Sequence, residues 1–178
     1  MSLRLVILMA LASTSMMSDQ TTTLGVGAGG SPHVRSEWKV SGATIVVDYG
    51  RPWLRGRREQ DMMPSGRPWR TGADAASVLR TDRQLQFGKA ILQPGVYTLN
   101  TQPGKVWELI FGRVSAEGQW GTPYQPDLEL YRVPMIGSTS KNSVEQLTIS
   151  VDVTRTGGTL RIAWGTTLVG ADFLVLPR

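Results

Sequence analysis

Arginine, tryptophan and glycine crowd one stretch of this chain. It reads Tyr49-Gly50-Arg51-Pro52-Trp53-Leu54-Arg55-Gly56-Arg57-Arg58 and, a few residues on, Pro64-Ser65-Gly66-Arg67-Pro68-Trp69-Arg70-Thr71-Gly72-Ala73-Asp74. A guanidinium is a planar fork of donors that matches carboxylate or phosphate and also stacks on aromatic faces. On this reading Arg51, Arg57, Trp69, Arg70 and Asp74 are candidate ligand-binding residues for a small anionic or carbohydrate ligand. The arginines would orient acidic or hydroxyl groups and the indoles would supply apolar contact. A second aromatic loop, Trp120-Gly121-Thr122-Pro123-Tyr124, offers Trp120 and Tyr124 as a further wall, since aromatic rings stack on sugars. The same residues also fit a structural reading. Trp53 and Trp69 would pin a long loop onto the fold, while arginines satisfy loop carbonyls and the acids Asp48, Glu59, Asp61 and Asp74. Buried carbonyls do need donors.

Other chemistries find less support. His33 is the single histidine and there is no cysteine, which removes a two-histidine metal centre and most zinc sites. Neither an EF-hand nor a Gly-x-Ser-x-Gly elbow is present, so no metal, cofactor or catalytic residue is assigned. A histidine is useful as a base only beside a positioned nucleophile, and His33 reads as an edge-strand or surface residue. Asp48, Asp74, Glu108 and Asp127 are the acids available to an acid-dependent hydrolase, a chemistry that needs two carboxyl groups about 5 to 10 Å apart. The formal net charge of +5 is nearly all arginine, but the bases are interspersed with acids and no recognition helix or lysine-rich run accompanies them. Nucleic acid is not an expected partner.

The elements that would position these residues are strands. Residues 43–49 alternate, with Ile45, Val47 and Tyr49 on one face and Thr44, Val46 and Asp48 on the other, the pattern of a half-buried strand. Residues 90–92 lead through Gln93-Pro94-Gly95 into 96–99, and Pro-Gly presets a type II turn, so a β-hairpin is expected there. Gln102-Pro103-Gly104-Lys105 repeats the device ahead of 106–111, extending the expected hairpin to a three-stranded meander. Residues 128–133 and 144–153 read as two further strands. Thr156-Gly157-Gly158-Thr159 supplies a tight turn before 160–164, and 167–169 and 173–176 close the chain. Trp38, Trp107 and Trp164 fall inside strands and read as core or core rim. No window carries a capped helical stripe. The expectation is an all-β fold, an antiparallel β-sandwich with a long Arg/Trp-rich loop over residues 50–76 and little helix. A loop that long is functional or disordered.

The chain begins with one positive charge, Arg4, then an apolar run over residues 5–11, then small and polar residues, which is how a secretory leader is built. That run is too short to span a bilayer. Residues 1–28 are expected to be signal peptide and linker, with small-x-small patterns at Ala10-Leu11-Ala12 and Val26-Gly27-Ala28, and residues 29–178 one domain. The expected location is periplasmic or secreted, with no stable membrane span once the leader is removed. With 40% hydrophobic and 19% charged residues, the domain has material for a core without disulfides. Oligomeric state is left open.

Taken together, Ser31-Pro32, Tyr49-Gly50-Arg51-Pro52, Arg55-Gly56-Arg57, Trp69-Arg70-Thr71-Gly72-Ala73, Pro94-Gly95-Val96-Tyr97-Thr98-Leu99, Trp107 with Leu109-Ile110, Trp120-Gly121 with Tyr124, and Arg132-Val133 resemble the bacterial family DUF2911. The likeness covers essentially all of the chain after the leader. It implies an exported β-rich domain and supplies no biochemical role. Members of that family usually carry Asn where this chain has Asp74, so an amide is exchanged for a carboxylate that accepts but does not donate when ionised. The function expected from the residues is an exported binding module; a structural or protein-interaction domain of the cell envelope is the alternative, and an acid-dependent hydrolase a third.

Overall fold

The computed structural model describes residues 20–115 and 124–177. The first 19 residues of the expected leader and linker, and Trp120, lie outside the described residues. Ten strands run in chain order: β1 (Gln20–Val26), β2 (Pro32–Val40), β3 (Ala43–Gly50), β4 (Ser77–Thr81), β5 (Leu85–Phe87), β6 (Ala90–Leu92), β7 (Gly95–Gln102), β8 (Trp107–Arg113), β9 (Glu129–Val153) and β10 (Gly157–Val175). They form one antiparallel sheet in the order β1-β2-β3-β4-β7-β8-β9-β10-β5-β6. Among the described residues the helical pieces are two 3-10 turns, Glu59–Asp61 and Pro126–Leu128. The all-β, antiparallel expectation is therefore what the chain adopts.

The two faces that pack together belong to this one sheet. Fully extended, the 25 residues of β9 would reach about 80 Å at roughly 3.3 Å per residue, far beyond the width of a domain this size. The strand has to bend, and it pairs with β8 through residues 129–135 before continuing along β10 through 136–153. Pairing with β10 is irregular around Gly165, whose φ of 58° is open to glycine at little cost. The bend folds the sheet so that Trp38, Ile45 and Val47 share one core with Leu99, Phe111, Leu147, Ile149, Ile162 and Phe173. Tyr49 crosses that core, its hydroxyl accepting from the Ile149 amide at 3.1 Å.

Strand β3 matches its sequence pattern, with Ile45, Val47 and Tyr49 buried and Thr44, Val46 and Asp48 partly exposed. The hairpin expected across Gln93-Pro94-Gly95 does not form. β6 turns back on β5 instead, through Gly88 at φ 56°, while β7 lies between β4 and β8. The reason is that Pro-Gly dictates a change of direction and leaves the pairing partner to long-range packing. The second half of the meander holds, since β7 pairs with β8. The two strands expected at 128–133 and 144–153 are instead one continuous strand, β9, and the three expected at 160–164, 167–169 and 173–176 are one, β10. Residues 20–26, counted with leader and linker in the sequence, form the edge strand β1, in which the β-branched Thr21, Thr22 and Thr23 pair with β2.

Candidate functional site

The loop over residues 50–76 is tied to the fold at many points. Arg51 donates from Nε to the Leu147 carbonyl at 3.0 Å and from Nη2 to Thr148 Oγ1 at 2.9 Å. Beside it the Leu147 amide donates to the Pro52 carbonyl at 3.0 Å and the Leu54 amide to the Glu145 carbonyl at 2.9 Å, so the chain beyond β3 pairs with the distal half of β9. Arg57 serves the loop itself, donating to the carbonyls of Leu54 and Trp53, each at 3.0 Å. Trp69 exchanges two backbone hydrogen bonds with Thr101 and lays its indole parallel to that of Trp164.

A buried acid fixes the middle of the loop. Glu59 Oε1 accepts from the Thr166 amide at 3.0 Å, the Thr166 hydroxyl at 3.0 Å and the Thr167 hydroxyl at 3.3 Å. Burial pushes the Glu59 carboxyl up, and these donors, with its own backbone amide, bring it below its ordinary value. Gly165 makes the approach fit, because a Cβ there would lie 2.2 Å from Glu59 Oε2.

The end of the loop is shaped by two non-glycine residues in the left-handed region, Thr71 at φ 55° and Asp74 at φ 61°. Thr71 is wholly buried; its hydroxyl meets Trp69 O and Thr101 Oγ1, and its carbonyl accepts from Ser77 Oγ at 2.8 Å. Aspartate and asparagine tolerate this conformation better than most residues. That accounts for the side chain at position 74 whether acid or amide. From there Asp74 Oδ2 meets His33 Nε2 at 3.0 Å. Gly27 closes over the pair, since a Cβ on it would fall 1.8 Å from Asp74 Oδ2.

His33 and Asp74 stand at one end of a groove on the outer face of the sheet. A cavity of about 250 Å³ is lined there by His33, Asp48, Arg80 and Ala76. Asp48 is gripped by Arg35 at 2.8 and 2.9 Å and by Arg80; burial pushes its carboxyl up, but the two guanidiniums hold it below the usual aspartate value. Ala76 also lines a second, tight cavity of about 20 Å³, walled by Thr98, Asn100, Tyr124 and Glu129. The Tyr124 hydroxyl donates to Glu129, and burial followed by that carboxylate pushes the phenol up. Arg132 braces this end, donating to Glu129 and, at 2.9 Å, to Glu108.

The outward side chains of β7 are the informative ones. Thr98 and Asn100 are 8% and 6% exposed, on a face of the sheet where polar residues ordinarily meet water. Among the described residues none hydrogen-bonds the Thr98 hydroxyl or the Asn100 carboxamide. Both line a cavity with room for a water-sized polar group, whereas the side-chain polar atoms fully buried without a partner among the described residues are Nε1 of Trp38 and Nε1 of Trp164.

Of the sequence-derived site residues, Tyr124 lines the smaller cavity, while Asp74 lines neither and touches the larger one only through His33; the two cavities share Ala76. Arg51, Arg57 and Trp69 hold the loop down, and Arg70 is exposed, with Nε 3.4 Å from the Gly72 carbonyl. His33, read from the sequence as an edge-strand or surface residue, is instead buried in β2 between β1 and β3, and Arg80, Thr98 and Asn100 were missed. A signal existed for two of them: Thr98 lies in the Pro-Gly-Val-Tyr-Thr-Leu stretch and shares outward parity with Asn100. Of the acids weighed for hydrolysis, Asp48, Asp74 and Glu108 each face a basic side chain. No group of three His, Asp or Glu side chains among the described residues gathers as a metal site.

A family model described as "Protein of unknown function (DUF2911)" matches residues 31–173. No curated protein and no solved structure matches the chain.

Proposed function

The chain belongs to the DUF2911 family, and we propose that it is an exported binding module that takes a small anionic or carbohydrate ligand in the outer-face groove. The observation that carries this reading is a pair of polar side chains, Asn100 and Thr98, that are little exposed on the outer face, hydrogen-bond no described residue and line the tight cavity beside Tyr124. Polar groups set in a recess without a protein partner are available to pair with a ligand. The groove offers both donors and acceptors. Arg80 shares Asp48 with Arg35, which leaves one positive charge in excess for an acidic group, and Thr98, Asn100 and Tyr124 present neutral partners suited to hydroxyls. Export rests on the leader-like order of charge, apolar run and small residues at the N-terminus.

The loop then acts as the clasp that brings Asp74 to His33 and Ala76 between the two cavities, which is the structural reading of its arginines and tryptophans. Titration of the isotopically labelled protein with small organic acids and sugars, followed by amide NMR, tests the assignment. Shifts centred on Val78, Arg80, Thr98 and Asn100 are expected; shifts centred on Arg57 and Arg70 with the β7 amides unmoved would return the site to the loop.

A further inference from the structure

At the other end of the sheet, β6 has three residues and pairs with β5 alone, so the sheet stops there and leaves a seam facing β9. Between Gly88–Ala90 on one side and 133–136 on the other lies a cavity of about 540 Å³, more than twice the size of the outer-face cavity at His33. Its walls include the buried Phe87, Val133, Met135 and Ala171. Phe87 in turn packs on Phe111 and Phe173, with ring centroids 5.0 and 5.2 Å apart, so the seam opens onto the main core. At its mouth Ile136 is 79% exposed, an isoleucine left in water beside an apolar recess.

Three charged residues border the opening. Asp172 accepts the Thr159 hydroxyl at 2.5 Å, and Arg132 is directed to Glu108 and Glu129. Lys89, on the β5–β6 turn, forms no ion pair with a described residue. The recess is of ligand size, dominated by aliphatic and aromatic walls, and has one uncommitted ammonium at its rim. We infer that the β6–β9 seam is a second binding site, separate from the polar groove, for a small amphipathic carboxylate whose chain lies against Phe87, Val133 and Met135 and whose head meets Lys89.

Isothermal titration of the whole protein with hexanoate, octanoate, decanoate, octanol and octylamine tests this. Burial of each methylene contributes about 0.8 kcal/mol, which corresponds to affinity rising roughly fourfold per added carbon until the recess is full. Octanoate is expected to bind more tightly than octylamine, and Lys89→Glu to weaken octanoate about tenfold while leaving octanol unchanged. Ile136→Ser, at an exposed position, should weaken all chain lengths alike, and Asn100→Leu should leave octanoate binding intact. Absence of binding in the parent protein, equal binding of acid and amine, or octanoate binding indifferent to both Lys89→Glu and Ile136→Ser would overturn the inference. Loss of octanoate binding in Asn100→Leu would overturn it too, by showing one site instead of two.

Discussion

The indoles of Trp69 and Trp164 lie 5.8 Å apart and 5° from parallel, one from the long loop and the other from β10. This stack joins the long loop to the middle of the core, and Trp164 is 2% exposed beneath it. Truncating a large aromatic costs about 3–5 kcal/mol when it is fully buried. Trp69 is half-buried, so Trp69→Ala is expected to lower stability by an amount near the bottom of that range, with Trp69→Phe recovering part of it in thermal denaturation.

Arg51 makes a parallel case for a polar clasp. Its two hydrogen bonds reach Leu147 and Thr148 across the seam between loop and β9. Bonds from a charged donor contribute about 1.5–3 kcal/mol, so Arg51→Ala should be destabilised by a similar amount in urea titration. Ligand affinity measured well below the melting temperature should remain at the parent level, because Arg51 lines neither outer-face cavity.

Glu59 gives the loop a pH dependence. Its carboxyl is held below the ordinary glutamate value of 4.5, so its contribution is in place above that pH and disappears as pH falls through the lowered folded value. Glu59→Gln keeps an acceptor but removes the charge, and should cost about 1–2 kcal/mol at neutral pH. Melting curves from pH 7 to pH 3 should show the gap between parent and variant closing below pH 4.5; a constant gap would mean that the charge is immaterial and the loss is steric.

Gly50 separates space from conformational freedom. Its φ is not in the left-handed region, but a Cβ there would lie 2.3 Å from the Ala73 carbonyl oxygen, a main-chain atom that cannot swing away. Gly50→Ala should therefore push the end of the loop off β3 at a cost of about 1–3 kcal/mol. The displacement would be read as faster amide exchange at Thr71, Gly72 and Ala73.

Strand β3 was legible because its alternation is local: Ile45, Val47 and Tyr49 state which face is buried without reference to any other strand. Pro94-Gly95 was misleading for the opposite reason. Turn chemistry says where the chain reverses, while the pairing of β6 with β5 and of β7 with β4 depends on contacts far apart in sequence. The loop's candidate residues were found by type, yet a guanidinium that satisfies a carbonyl and one that awaits a ligand have the same one-letter code. The groove was harder still, because His33 and Asp74 stand 41 residues apart and meet only when Thr71 and Asp74 take left-handed conformations. Asn100 carries no signal except outward parity on a strand, and it becomes notable only when the cover over it is seen.

The most direct test of the groove is a thermal-shift screen with sugars, organic acids and nucleotides, run on the parent protein, Asn100→Leu and Arg70→Ala. Asn100→Leu exchanges the carboxamide for an apolar group of similar size, and the shift in each variant is read against its own ligand-free melting temperature. A ligand that binds the folded state raises the melting temperature. One ligand class is expected to do so in the parent and in Arg70→Ala but not in Asn100→Leu. A shift that survives in Asn100→Leu and vanishes in Arg70→Ala would contradict the account and place recognition on the exposed face of the loop.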